Sequence, residues 1–286
     1  MRRLAHRSAA LGLVALVVAG CVGGRVEPAD LVFTGGLVYT MDASAPRAEA
    51  VGVRGGRIVY VGDAQGAARL VGAGTEVVDL GGRMLLPGFH NTHVHLVSGG
   101  IELGECDLNP AASRADVVRI VSECAARDPD VAWIRGGGFP LPIFPDGAPP
   151  RALLDSLVPD RPAYITSADA HTAWVNSRAL EAAGITAATP DPAPDGVIVR
   201  TADGEPQGTL RESAMGLVEQ HLPSRSDAEV LAGLERGLAM AASFGITTVH
   251  EASAGEAFAR AYAEAEARGL LTARAIIALR VDPTRA

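Results

Sequence analysis

The chain has 286 residues, few aromatics and a formal net charge of −8, and its positive charge is carried by Arg. This length and composition suit one large globular domain or two smaller ones. The acidic balance speaks against a nucleic-acid partner, and there is no basic stripe or zinc-finger spacing to argue for one.

The first residues read as a targeting segment. Arg2, Arg3 and Arg7 form a positive start, and Ala9 to Gly20 is an apolar run of about a dozen residues, too short to span a bilayer comfortably. Leu16-Val17-Val18-Ala19-Gly20-Cys21 resembles the lipobox of bacterial lipoproteins, and that resemblance implies lipidation of Cys21. The expectation is a signal over 1–21 and an exported lipoprotein on the cell or outer membrane, facing the periplasm or the exterior. An ordinary cleaved signal or an uncleaved anchor is the alternative. Residues 22–30 form a tether. Apart from Cys21 the cysteines are Cys106 and Cys124. Export would allow a disulfide between them, but nothing in the sequence brings them together, and two separate buried thiols are expected.

Short strand patterns fill 31–87. Gly35-Gly36, Gly55-Gly56 and Gly81-Gly82 each lie between two such runs and read as three hairpin turns, giving a small β-sandwich or meander. After Pro87 helices alternate with strands, which implies a parallel sheet with crossovers. A helix is expected over 113–127, with Ser113 as its cap and Asp116 in its first turn. Strands follow near 131–135 and 162–167, with a short helix over 151–157 between them. Another helix over 176–183 stops at Gly184. Residues 190–208 are rich in Pro, Gly and Asp. A long helix over 226–244, a strand over 245–251, a helix over 257–268 and a strand over 271–281 complete the chain.

The strongest chemical signal is His93-Val94-His95, which follows an apolar run and a Pro87-Gly88 break. On a strand, residues two apart share a face, so both imidazoles can reach one borderline divalent ion while Val94 packs the other way. From Val77 to His95 the sequence resembles the first-strand signature of the amidohydrolase superfamily. The resemblance implies a (β/α)8 barrel beside a small β-domain, with His93 and His95 as ligands of a divalent metal, zinc by expectation. The segment Asp169-Ala-His171-Thr-Ala-Trp174-Val-Asn176 is similar to one in the amidohydrolase 3 branch, which includes N-substituted formamide deformylase-like enzymes. There it belongs to an insertion over the active site, expected here over about 105–215. By that likeness His171 faces the substrate, and Trp174 and Asn176 shape the pocket; a capped helix start with Trp174 in the core is the alternative. Glu212 reads as a solvated carboxylate at a helix start, with reach into the site as the alternative. His250, expected at a strand's end, either lines the pocket or is structural, so His171 and His250 are the catalytic candidates. His221 reads as surface. His90 and Asn91 stand where the family has an apolar residue and Asp, and neither is assigned chemistry.

A (β/α)8 barrel takes about 250 residues, more than Pro87 leaves before the end of the chain. The resemblance therefore covers an N-terminal half, an incomplete barrel over 88–286. The implied activity is metal-dependent hydrolysis of a non-peptide C–N bond in a small amide-like substrate. The alternatives are an ester, lactone or phosphotriester hydrolase on the same fold, and a non-catalytic lipoprotein remnant or binding module. Membrane contact is expected through the lipid anchor, and a homo-oligomer is a further possibility.

Overall fold

The computed structural model describes residues 26–281. The signal over 1–21, Cys21 and the start of the tether lie outside the described residues. The chain divides into two units, the first ending at Pro87 and the second beginning at Gly88. No described helix is long and apolar enough to cross a membrane.

The first unit contains β1 (Leu31–Thr34), β2 (Leu37–Tyr39), β3 (Arg47–Ala48), β4 (Ala50–Arg54), β5 (Arg57–Gly62), α1 (Ala64–Ala68), β6 (Glu76–Asp79) and β7 (Met84–Leu85). They form two sheets, ordered β5-β4-β1-β6 and β3-β2-β7. Gly55-Gly56 is the expected hairpin turn, with β4 and β5 antiparallel and Arg54 opposite Arg57. The other two diglycines are not hairpins. β1 runs parallel to β6, and β2 runs parallel to β7. At Gly35-Gly36 and again at Gly81-Gly82 the chain turns a corner out of one sheet into the other. The corners are tied together by the Gly82 N–H, which donates to the Gly35 carbonyl. A Cβ on Gly36 would lie 2.2 Å from the Arg83 carbonyl oxygen, so only glycine fits there.

The second unit contains β8 (Phe89–Val94), α2 (Leu96–Glu102), β9 (Cys106–Asp107), α3 (Arg114–Arg127), β10 (Ile134–Phe139), α4 (Arg151–Leu157), β11 (Ala163–Ser167), β12 (Thr172–Val175), α5 (Ser177–Ala182), β13 (Val197–Arg200), β14 (Pro206–Arg211), α6 (Gly216–Glu219), α7 (Asp227–Ser243), β15 (Ile246–Ala254), α8 (Glu256–Ala267) and β16 (Arg274–Leu279). One sheet is β16-β15-β8, parallel throughout. The other is β13-β14-β12-β11-β10-β9. Its β9, β10 and β11 are parallel, and the remaining strands join antiparallel. The fold is mixed α/β, with no closed barrel among the described residues; the expected parallel sheet is split in two and partly antiparallel.

Two helix starts follow the sequence. The Ser113 hydroxyl accepts the Asp116 N–H ahead of α3. Ser226 and Glu229 form a reciprocal capping box ahead of α7. Helix α7 lies tightly against α2, because a Cβ on Gly100 would fall 1.9 Å from the Gly233 carbonyl oxygen. That packing fixes the helix that follows His95.

Cys106 and Cys124 are joined in a disulfide, with Cα atoms 5.7 Å apart, which corrects the expectation of two separate thiols. Helix α3 lies along the six-stranded sheet and brings its buried face, including Cys124, down onto Cys106 of β9. Replacing both by Ser is expected to lower unfolding stability by about 3 kcal/mol, read as a shifted urea midpoint. An unchanged midpoint would mean that the bond constrains nothing.

Candidate metal and substrate site

Strand β8 ends at Val94, and His95 is the N-cap residue of α2. Val94 packs against the apolar cluster formed around α2, α7 and β15. His93 and His95 lie exposed on either side of it. Their ring centres are 5.3 Å apart and the ring planes stand at 87°. Two imidazoles, each about 2 Å from one tetrahedral ion, have ring centres about 5 Å apart. The pair therefore fits half of such a coordination shell.

The Nδ1 of His95 lies 3.0 Å from the Ala252 carbonyl oxygen. A carbonyl can only accept, so in this contact Nδ1 carries the proton and Nε2 keeps its lone pair for a metal. Opposite β15, strand β8 contains one extra residue, since Val249 pairs with Asn91 and Glu251 pairs with Val94. Such bulges re-aim side chains, and this one lies in the stretch that carries His93. The His93 N–H donates to Asn91 Oδ1 at 3.2 Å. Among the described residues no group of three or more His, Cys, Asp or Glu side chains could hold a metal, so this pair stands alone.

His250 lies inside β15, which runs on to Ala254 rather than stopping at residue 251. Val249 and Glu251 are fully buried toward the helices. Strand alternation therefore turns His250 to the opposite face, and the level pairing of Glu251 with Val94 makes this the face of His93. His90 and His221 are exposed, and Asn91 is half-buried.

His171 sits in the turn between β11 and β12. Its Nδ1 is 3.0 Å from Glu212 Oε2, and the Glu212 N–H donates to the His171 carbonyl at 3.1 Å. The antiparallel pairing of Thr172 with Arg211 brings the two together. Glu212 is thus a hydrogen-bond partner rather than a merely solvated helix-start carboxylate. The hydrogen bond to Glu212 and the attraction of its charge hold the His171 pKa above the ordinary imidazole value. Asp169 accepts from the Ser167 hydroxyl and from the His171 N–H, and these bonds, the first foremost, hold its carboxyl below the usual range.

Protonated His171 contributes to stability in full below the ordinary imidazole pKa, and the contribution fades as pH rises through the elevated one. Glu212→Gln is expected to bring the NMR titration midpoint of His171 down toward the ordinary value. A midpoint that does not move would dissolve the pair.

Trp174 and Asn176, expected to shape a substrate pocket, are fully buried. Trp174 packs against Phe139 and Phe144, and its indole N–H donates to the Pro150 carbonyl at 3.1 Å. The Asn176 Oδ1 accepts the N–H groups of Ala163 and Ala179, capping α5. Its amide donates to the carbonyls of Val158 and Arg161. Every polar atom of both side chains is engaged in holding β12 to α4 and α5.

The mixed α/β fold is shared with solved structures. An uncharacterized metal-dependent hydrolase from Pyrococcus furiosus superposes with a TM-score of 0.62 at 24% identity, covering 87% of this chain and 50% of that one. Its counterpart from Pyrococcus horikoshii gives 0.62 at 23% identity, covering 87% and 48%. The chain belongs to the amidohydrolase family, whose profile matches residues 76–285. Relatives include the putative amidohydrolase YtcJ of Bacillus subtilis, 36% identical over 67% of this chain and 36% of its own length. The N-substituted formamide deformylase of Arthrobacter pascens is 34% identical over 66% of this chain and 35% of its own length. The Arabidopsis thaliana protein LONG AFTER FAR-RED 3 is 34% identical over 77% of this chain and 38% of its own length. The chain thus spans little more than a third of these curated relatives.

Proposed function

We propose that this chain carries the first-strand part of a metal-dependent hydrolase centre that cleaves a non-peptide, amide-like C–N bond. The observation that carries the reading is the His93–His95 pair, with ring centres 5.3 Å apart and Nδ1 of His95 engaged by a backbone carbonyl. Membership of the amidohydrolase family supports it, and the formamide deformylase among the relatives supports the C–N substrate class.

A divalent ion bound there, zinc by preference, supplies a Lewis acid and a water of lowered pKa. His93 and His95 hold it through imidazole nitrogens, and His250 lines the same face. His171, kept protonated to higher pH by Glu212, offers a donor to an acceptor oxygen of the substrate. The 105–215 segment is the insertion that covers the centre, and 31–87 the small β-domain. Cys21 anchors an exported lipoprotein to the membrane, and the substrate is a small molecule.

The test is turnover of N-substituted formamides and simple N-acyl amides by the zinc-loaded protein, compared with His93→Ala. Amide hydrolysis that is lost in the variant supports the reading. Turnover confined to esters, lactones or phosphotriesters moves the substrate class. Stoichiometric zinc that stays bound in the variant overturns the site.

A further inference from the structure

Helix α2 begins with a difficulty. Its N-cap residue is His95, whose side chain makes no capping hydrogen bond. The imidazole is turned to the Ala252 carbonyl instead. The first N–H groups of a helix have no partner within it and need an acceptor from elsewhere. Val97, the second residue of α2, is fully buried, so water cannot serve.

Glu251 supplies the acceptor from 154 residues away: its Oε2 takes the Val97 N–H at 3.1 Å. The Tyr262 hydroxyl of α8 donates to the same oxygen at 3.0 Å. One buried carboxyl group therefore ties β15, α2 and α8 together. Among the described residues its Oε1 has no hydrogen-bond partner. A fully buried acid with an unused oxygen is costly, so a role beyond packing is indicated.

We infer that Glu251 is a positioning residue for the metal ligand His95. It caps α2 in place of His95 and so leaves the imidazole free to donate Nδ1–H to Ala252 and present Nε2 outward. Two adjacent residues of β15 divide the work. Glu251 acts through its side chain on the helix side, and Ala252 through its carbonyl on the ligand side. Without the Glu251 acceptor, the unpaired N–H groups of α2 would draw Nδ1 of His95 as their own cap. That contact needs the Nε2–H tautomer, which removes Nε2 from metal binding. The inference rests on the metal reading of His93 and His95.

The experiment reads the His95 tautomer by 15N NMR in the metal-free full chain, and cobalt affinity by the visible spectrum of the cobalt-loaded protein. Wild type is expected to hold the Nδ1–H form. Glu251→Leu keeps the volume but removes the acceptor, and Glu251→Asp keeps the carboxyl group but shortens the reach. Both are expected to shift His95 toward Nε2–H and weaken cobalt binding about tenfold to a hundredfold. Glu251→Gln, which retains an acceptor, is expected to restore both readouts. Leu234→Ala, in the same apolar cluster, is the control that lowers stability and moves neither. Should Glu251→Leu not fold, Glu251→Asp decides. Wild-type tautomer and affinity in the Leu or Asp variant would overturn the inference. A wild type that binds no cobalt would remove the metal reading, and the tautomer comparison would still decide the positioning role.

Discussion

His93→Ala is expected to lower affinity for a divalent ion by about a hundredfold or more. Even loss of a hydrogen-bond partner behind a ligand costs tenfold to a hundredfold, and this substitution removes a ligand itself. The measurement is a competition titration against a chromophoric chelator, with His90→Ala as the control. His90 lies on the same strand and is exposed, but it is not one of the paired imidazoles. An equal loss in both variants would mean that surface histidines bind the ion without a shared site. No loss in His93→Ala would remove that residue from the coordination shell.

The second large effect concerns Trp174. Its ring centre lies 6.2 Å from that of Phe139 and 5.7 Å from that of Phe144, in the cluster that also holds the disulfide. Among the described residues Trp174→Ala removes the largest fully buried side chain, and it leaves the Pro150 carbonyl with the Leu153 N–H but without the indole donor. A loss of about 4 kcal/mol in unfolding stability is expected, read by urea denaturation with the disulfide intact. A pocket residue would behave differently, with stability nearly unchanged and substrate affinity reduced. That pattern would return Trp174 to the substrate.

The sequence showed local features clearly and long-range ones poorly. Ser113 and Ser226 could be read as helix caps because a cap and its N–H partner lie within one turn. The His93–His95 pair was visible because two-residue spacing is itself the geometry of a strand face. The diglycines were ambiguous for a physical reason. Gly35, Gly55 and Gly81 all adopt positive φ, yet the same dipeptide serves a hairpin at Gly55 and a sheet corner at the other two. Strand pairing across more than 40 residues decides between them. The same holds for the site: Glu212 meets His171 only because β12 and β14 pair, and Glu251 meets Val97 only because β15 lies beside β8. The disulfide was missed because a strand cysteine and a helix cysteine share no periodicity. The branch motif is legible as a pattern, but its Trp174 and Asn176 are buried while His171 is exposed.

On the proposed reading His93 and His95 share one divalent ion. X-ray absorption on the cobalt-loaded chain, with metal content measured on the same sample, tests it most directly. One ion per chain is expected, with two imidazole nitrogens at about 2 Å in its first shell, both lost in the His93→Ala/His95→Ala double variant. A full complement of metal in the double variant, or a wild-type shell without imidazole, would contradict it.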